Sequence, residues 1–250
     1  MKRLFSFLFL VVLSFFSSCS NTPNKNSKVG VDPTWYPLHF GNQENNVTAF
    51  STELLGAIGE KEKIAFTRIS VNWDDLLQGL QKEEYEAILS SMPPYLFNEK
   101  LFNFSSVYLY LGPVLVVRTS STIDSIKDLE GKEIAVITGS SSDLVLEKSP
   151  GVLIRYYDST PQALNAILTE TIDGALVDAL TATAYLRDLY QKELKIVTPP
   201  LTDEGLRLIT KYDQSKELVK KFDKGLEELK ENGDYNKLLD KWGLLEPKVH

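Results

Sequence analysis

The sequence predicts an α/β fold built as two units of similar size, and three features predict it. Short apolar runs alternate with amphipathic windows through nearly the whole chain. The alternation passes through two successive cycles and leaves a pair of helices over at the end. Once an export segment is set aside, roughly 230 residues remain, enough to bury one large or two small α/β cores.

The first cycle opens with Val29-Gly-Val31, a short strand. Phe50, Leu54, Leu55 and Ile58 then recur at helical spacing, which predicts a helix over Phe50–Lys61. Ile64–Val71 alternates as a strand does, Trp73–Gln81 is helical, and Ala87–Leu89 returns to strand. Tyr108–Val117 is a long apolar run with a break at Gly112-Pro113.

The second cycle starts at a capping box, Ser125 with Asp128, for a short helix that stops at Gly131. Strand Glu133–Ile137, helix Ser140–Lys148 and strand Val152–Arg155 follow. Ser159-Thr160-Pro161 opens another helix, since proline suits a first helical turn. Strand Gly174–Val177, helix Leu180–Tyr190 and strand Leu194–Val197 complete the series. The tail holds strand Leu206–Thr210 and two helices, Gln214–Lys230 and Asp234–Trp242, parted by Asn232-Gly233.

The start of the chain has the layout of an export signal, predicted over residues 1–18. Lys2 and Arg3 precede the apolar stretch Leu4–Phe16, and small Ser17 and Ser18 lead into Cys19. That stretch is about 13 residues, too short for a bilayer core that needs ~20 in a helix. Phe16-Ser17-Ser18-Cys19 resembles a bacterial lipobox, which implies that Cys19 is acylated after cleavage. An ordinary secreted protein with an incidental cysteine is the alternative. Cys19 is the only cysteine, so no intramolecular disulfide is possible. Residues 19–27 are polar and read as a lipidated tether. The chain carries a formal charge of −7, and removing Lys2 and Arg3 makes it more acidic. An acidic body argues against nucleic acid, whose binding depends on Lys and Arg at phosphates.

Several segments, in order, resemble the periplasmic solute-binding proteins for polar amino acids, the family of the lysine/arginine/ornithine-, histidine- and glutamine-binding proteins. Val29-Gly-Val-Asp-Pro-Thr-Trp-Tyr-Pro37 resembles its first strand, Phe50-Ser-Thr-Glu-Leu54 its first helix, and Glu86-Ala-Ile-Leu-Ser-Ser91 its D-A-I-x-[SAG]-[SG]. Asp128-Leu-Glu-Gly-Lys132 and Ile134-Ala-Val-Ile-Thr-Gly-Ser-Ser141 resemble the start of its second lobe. Ile172-Asp-Gly-Ala-Leu-Val-Asp178 resembles its D-A-x-x-x-D strand, and Leu229–Tyr235 with Lys241-Trp242 its closing helices.

The resemblance implies a type II periplasmic-binding-protein fold, with two strands crossing a hinge and a ligand cleft between two lobes. The expected division is lobe one at 28–111 and 201–250, lobe two at 112–200, with crossings near Tyr110–Pro113 and Thr198–Thr202. It implies a monomer of the cell envelope that binds a small polar amine, an amino acid foremost. The partner would be an ABC permease, the membrane contact a lipid anchor only, with no cofactor and no metal.

By the same resemblance, Asp32 and Asp178 contact the ligand's amino group, one from each lobe; a buried ammonium must be paired. Each also fits a purely structural role, capping a turn before Pro33 or a helix at Leu180. Trp35 and Trp73 match positions of aromatic rings over the ligand side chain. Trp73 equally suits a core anchor, since it shares a face with Leu76, Leu77 and Leu80. The resemblance also implies ligand contact at Ser90 and Ser91. Gly139, Ser140 and Ser141 match the segment that takes the ligand carboxylate, and read alone they are an ordinary serine cap. Two positions depart from the pattern. Pro93 stands where the family has serine or threonine, and Asn98 where it has an arginine that forks the carboxylate. Lys100 lies two residues further on.

Two other functions remain open on the residues alone. One is a dehydratase-like enzyme working with carboxylates on the same fold, although only His39 and His250 are available as imidazoles. The other is an interaction lipoprotein without a ligand. A receptor's sensing module is not expected, since no spanning segment follows the second lobe.

Overall fold

The computed structural model describes residues 25–36, 38, 40, 42–140 and 142–244. The export segment and Cys19 lie outside the described residues. Strand β1 (Lys25–Val31) pairs along its length with parallel β2 (Ile64–Ser70). It therefore begins inside the segment expected as tether, which corrects that boundary. Polar residues form strand here because β2 supplies partners, and buried Ser27 donates its hydroxyl to Glu86 at 3.0 Å.

Helix α1 (Glu44–Glu62) starts well before the expected Phe50. Its first residue, Glu44, accepts the N–H of Phe40 at 3.0 Å and so stabilises an earlier start. Its end is a left-handed Lys63, whose N–H returns to the Gly59 carbonyl. Helix α2 (Trp73–Gln81) packs over Tyr85. That ring is slotted between Gly30 of β1 and Gly79 of α2, where an added Cβ would stand 2.7 and 2.3 Å from it.

The first sheet has the order β2-β1-β3-β11-β4. Here β3 (Ala87–Ser90) is parallel to β1, while β11 (Gly205–Lys211) runs antiparallel to β3 and to β4 (Phe102–Phe104). The four-residue helix α3 (Leu96–Glu99) lies between β3 and β4. The apolar run broken at Gly112-Pro113 divides between sheets. Its first part, β5 (Leu109–Tyr110), pairs with β11, and its second, β6 (Pro113–Arg118), enters the other sheet.

That second sheet has the order β10-β6-β9-β7-β8. It comprises β6, β7 (Glu133–Ile137), β8 (Leu153–Tyr157), β9 (Gly174–Asp178) and β10 (Leu194–Ile196). Helices α4 (Ser142–Leu146), α5 (Thr160–Leu168) and α6 (Ala179–Tyr185) accompany it. The window expected as one helix to Tyr190 is α6 followed by a π turn over Leu186–Tyr190. Both faces of this sheet are covered. Val114 and Val116 of β6 face a cluster with Leu164 and Ile167 of α5, whereas Leu115 and Val117 face one with Leu129 and Leu146.

The chain then returns to the first lobe. Helices α7 (Lys216–Glu231) and α8 (Asp234–Trp242) pack against α1. Phe50, Tyr108, Phe222 and Tyr235 form one aromatic core there, with ring centroids about 6 Å apart. Early, middle and late parts of the chain thus meet at one point. The Tyr235 hydroxyl fixes the junction by donating to the Tyr108 carbonyl at 2.6 Å.

Candidate ligand-binding cleft

An open α/β sheet leaves its crevice at the carboxyl ends of its strands. In the first sheet those ends carry Asp32 after β1, Trp73 shortly after β2, and Ser90 closing β3. In the second sheet they carry Gly139 and Ser140 after β7, and Asp178 closing β9. Two linking segments join the sheets between these ends. The Gly112 N–H donates to the Glu204 carbonyl at 3.3 Å, and the Gly112 carbonyl accepts the Ala179 N–H at 3.2 Å. Gly112 is therefore the point where both links and the start of α6 meet. A Cβ on it would stand 2.3 Å from the Thr202 hydroxyl, so only glycine fits. That hydroxyl is buried and has no hydrogen-bond partner among the described residues.

Asp32 is 5% exposed. One carboxylate oxygen accepts both the N–H and the hydroxyl of Thr34, at 2.8 and 2.7 Å. This aspartate does cap its turn. Asp178 behaves differently. It stands at the cap position of α6, yet its side chain makes no capping hydrogen bond. Desolvation first, and the nearby Glu204 carboxylate second, push its pKa above the ordinary carboxylate value. The Asp178 side chain is nonetheless exposed to solvent at the end of β9, so water still screens its charge. Leu180, two residues on, is buried in the first-lobe core, so α6 abuts both lobes.

The profile of the bacterial extracellular solute-binding proteins, family 3, matches residues 27–245. The chain belongs to this family. An arginine-binding extracellular protein of Bacillus subtilis is 25% identical over 229 residues, covering 90% of this chain and 89% of the relative. A probable histidine-binding protein of Campylobacter jejuni is 25% identical, with 97% and 99% covered. Among solved structures, the unliganded open L-cystine solute receptor of Neisseria gonorrhoeae superposes with a TM-score of 0.72. It shares 26% identity and covers 91% of this chain and 96% of its own. A second substrate-binding domain of a putative amino acid ABC transporter from Streptococcus pneumoniae gives 0.67 at 25% identity, with 86% and 99% covered. The fold is accordingly the two-lobed, type II arrangement.

Within this solute-binding protein, the remaining expected residues fall into distinct places. Trp35 is corrected: its ring is 3% exposed inside the first-lobe core. Its backbone is left-handed, φ 59°, its indole N–H donates to Thr48 at 2.8 Å, and it meets Phe40 edge-on. The turn instead presents its neighbour Tyr36, 58% exposed, which meets half-buried Trp73 edge-to-face at 6.4 Å. Trp73 also packs on the Leu76 and Leu80 cluster, as a core anchor of its own helix would.

The groups expected near a carboxylate are already engaged. The buried Ser90 hydroxyl accepts the Met92 N–H at 3.2 Å, with Ser91 half-buried beside it. The Asn98 amide donates to the Pro93 carbonyl at 2.8 Å and holds the two-proline turn. Lys100 is exposed at the end of α3. Gly139 has φ 81°, as a tight strand-to-helix turn requires. The Ser140 N–H donates back to Ile137 at 3.0 Å, and its hydroxyl accepts the Ser142 N–H. Ser140 is thus a cap for α4, and Ser141 lies outside the described residues.

Two residues were missed from sequence. Tyr36 was masked by adjacent Trp35, which took the aromatic position of the motif, and only the φ at 35 reverses them. Glu204 stands in no motif at all. Its place depends on how the second link folds back over Gly112.

Proposed function

We propose that this chain is the lipid-anchored solute-binding component of an ABC importer, and that it takes a small polar amine, an amino acid foremost, between two closing lobes. Cys19 is the anchor, a permease is the partner, and the protein acts as a monomer in the cell envelope. Family membership supports the importer role, and the arginine- and histidine-binding relatives support an amino acid.

The observation that carries the ligand class is Asp178. Its carboxylate ends a strand, makes no capping hydrogen bond and is exposed, with its pKa raised by the surrounding protein and by Glu204. A ligand ammonium would supply a counter-charge, joined by Asp32 from the other lobe. Closure about Gly112 would then remove the pair from water, where a charge-assisted hydrogen bond is strongest.

A thermal-shift screen across amino acids finds the ligand, since one at a hundred times its Kd stabilises by ~2.7 kcal/mol. Titration calorimetry on Asp178→Ala then tests the role. Loss of one partner of a buried charge pair costs ~2–5 kcal/mol, so the affinity should fall roughly 30-fold or more. Unchanged affinity in that variant would remove the amine from the cleft.

A further inference from the structure

We propose that the turn carrying α3 is a membrane-contacting surface, which rests on the bilayer beside an acylated Cys19. It depends on the lipid anchor proposed above and adds to it an orientation of the first lobe.

The sequence after β3 supplies large apolar residues that the fold does not bury. Tyr95, Leu96, Phe97 and Leu101 are all exposed, Leu96 at 80%, and Tyr212 stands exposed beside them. None of the five belongs to a core cluster. They are neighbours: the Tyr95 and Phe97 rings lie 5.7 Å apart, and the Tyr212 N–H donates to the Leu101 carbonyl at 2.9 Å. The turn is also held in this form. The Pro93 carbonyl accepts the Tyr95 N–H at 2.9 Å and the Asn98 amide at 2.8 Å, while the Glu99 N–H donates to the Tyr95 carbonyl at 3.0 Å. An apolar patch fixed outward in this way marks a contact site.

Strand register places the patch relative to the anchor. Ala87 of β3 faces Val29 of β1 on one side and Thr210 of β11 on the other. Lys25 lies four residues before Val29 in a strand parallel to β3, and Tyr212 lies two residues beyond Thr210 in an antiparallel one. Both therefore project from the same end of the sheet. With strands ~4.8 Å apart and a rise of ~3.3 Å per residue, their backbones stand about 12 Å apart. Six residue steps separate Cys19 from Lys25, a reach of at most ~20 Å. An acylated Cys19 thus keeps this end of the lobe, with Leu101 and Tyr212 on it, within one tether length of the lipid.

The size and chemistry of the patch select lipid as its occupant. Five side chains are far fewer than the ~20–30 residues a side of a stable protein interface. Beside a tethered acyl chain, however, a small patch meets the bilayer at high effective concentration. Tyrosine, phenylalanine and leucine suit the boundary between head groups and acyl chains. The Lys216 ammonium, 4.7 Å from the centre of the Tyr212 ring, gives that boundary a polar rim. The chain carries a formal charge of −7, so the attraction is apolar and zwitterionic lipid suffices.

The test places the acylated full-length protein in phosphatidylcholine vesicles whose acyl chains carry bromine, a contact quencher of tryptophan. Phe97→Trp adds one ring to Trp35, Trp73 and Trp242, and about half or more of its added emission should be quenched. Leu153→Trp, at an exposed position on β8 of the second lobe, should lose about a tenth at most. In a Leu101→Trp background, Leu96→Ser combined with Phe97→Ser should reduce the quenching about threefold. These side chains are exposed, so every variant should melt close to wild type. Equal quenching at positions 97 and 153, or quenching at 101 that ignores the serine pair, would overturn the membrane surface and leave the lipid anchor standing. A sedimentation coefficient that falls in the serine pair without vesicles would assign the patch to a second copy and overturn the proposal as well. If the wild type carries no acyl group and does not stay with the vesicles, the anchor fails and this orientation with it.

Discussion

In the role proposed for it Asp178 pairs with a ligand ammonium, whereas without ligand its charge opposes folding. Its pKa is raised above the ordinary 3.8, chiefly by desolvation and further by Glu204, so the folded protein holds this proton more tightly than the unfolded chain. Stability from that difference is present at low pH and is lost as pH rises through the raised value. Asp178→Asn should accordingly leave the unliganded protein unchanged near pH 3.8 and, because the exposed side chain is screened by water, only slightly more stable at neutral pH. Urea denaturation at the two pH values checks this, and a variant less stable than wild type at neutral pH would contradict it. Residues of this kind were partly legible. A strand-end aspartate can be read from D-A-x-x-x-D, but whether it caps a helix or stays unbonded depends on φ, ψ and neighbours distant in sequence. Trp35 and Tyr36 show the same limit. Two adjacent aromatics look alike to a motif, and a single left-handed residue decides which one is buried.

At the level of elements, the Tyr85 slot shows how two glycines can define a helix position. A Gly79→Ala change on an exposed helix would stabilise it by ~0.8–1 kcal/mol. Here the new Cβ would meet the Tyr85 hydroxyl, and the ring cannot retreat, because Gly30 lies against its other edge and Leu76 accepts its proton at 2.6 Å. Gly79→Ala should therefore destabilise, by the ~1–3 kcal/mol typical of overpacking, and a higher melting temperature would refute the slot. Periodicity identified most elements, including α2, α8 and the strands of the second lobe. It failed where tertiary partners override local preference. Polar Lys25–Ser27 becomes strand because β2 is beside it, and the Ser140–Lys148 window shortens to α4. Helix α3 and strand β4 carry no period long enough to read.

For the molecule as a whole, the alternation of strand and helix disclosed the α/β class, and motif order disclosed the two-lobed family. What no local pattern disclosed is the contact between lobes: Leu180 in the first-lobe core, and Arg187 donating to the Gly243 carbonyl at 3.0 Å. The expected anchor is also a property of the whole protein. Cys19→Ala should shift it from the membrane fraction to the soluble fraction, and equal partitioning of both forms would remove the lipid anchor. One acyl chain alone holds weakly, so firm retention implies more than one.

The position of β11 has a further consequence. It is bonded between β3 and β4, both of which precede it by about a hundred residues, with the entire second sheet in the interval. On a growing chain, β6 to β10 are all available to one another before β11 has been synthesised. The second lobe can thus complete its sheet first, while β3 and β4 wait with open edges that are prone to pairing with other chains. The half of the protein that is begun first is finished last, and during that interval it is the half a chaperone would have to guard.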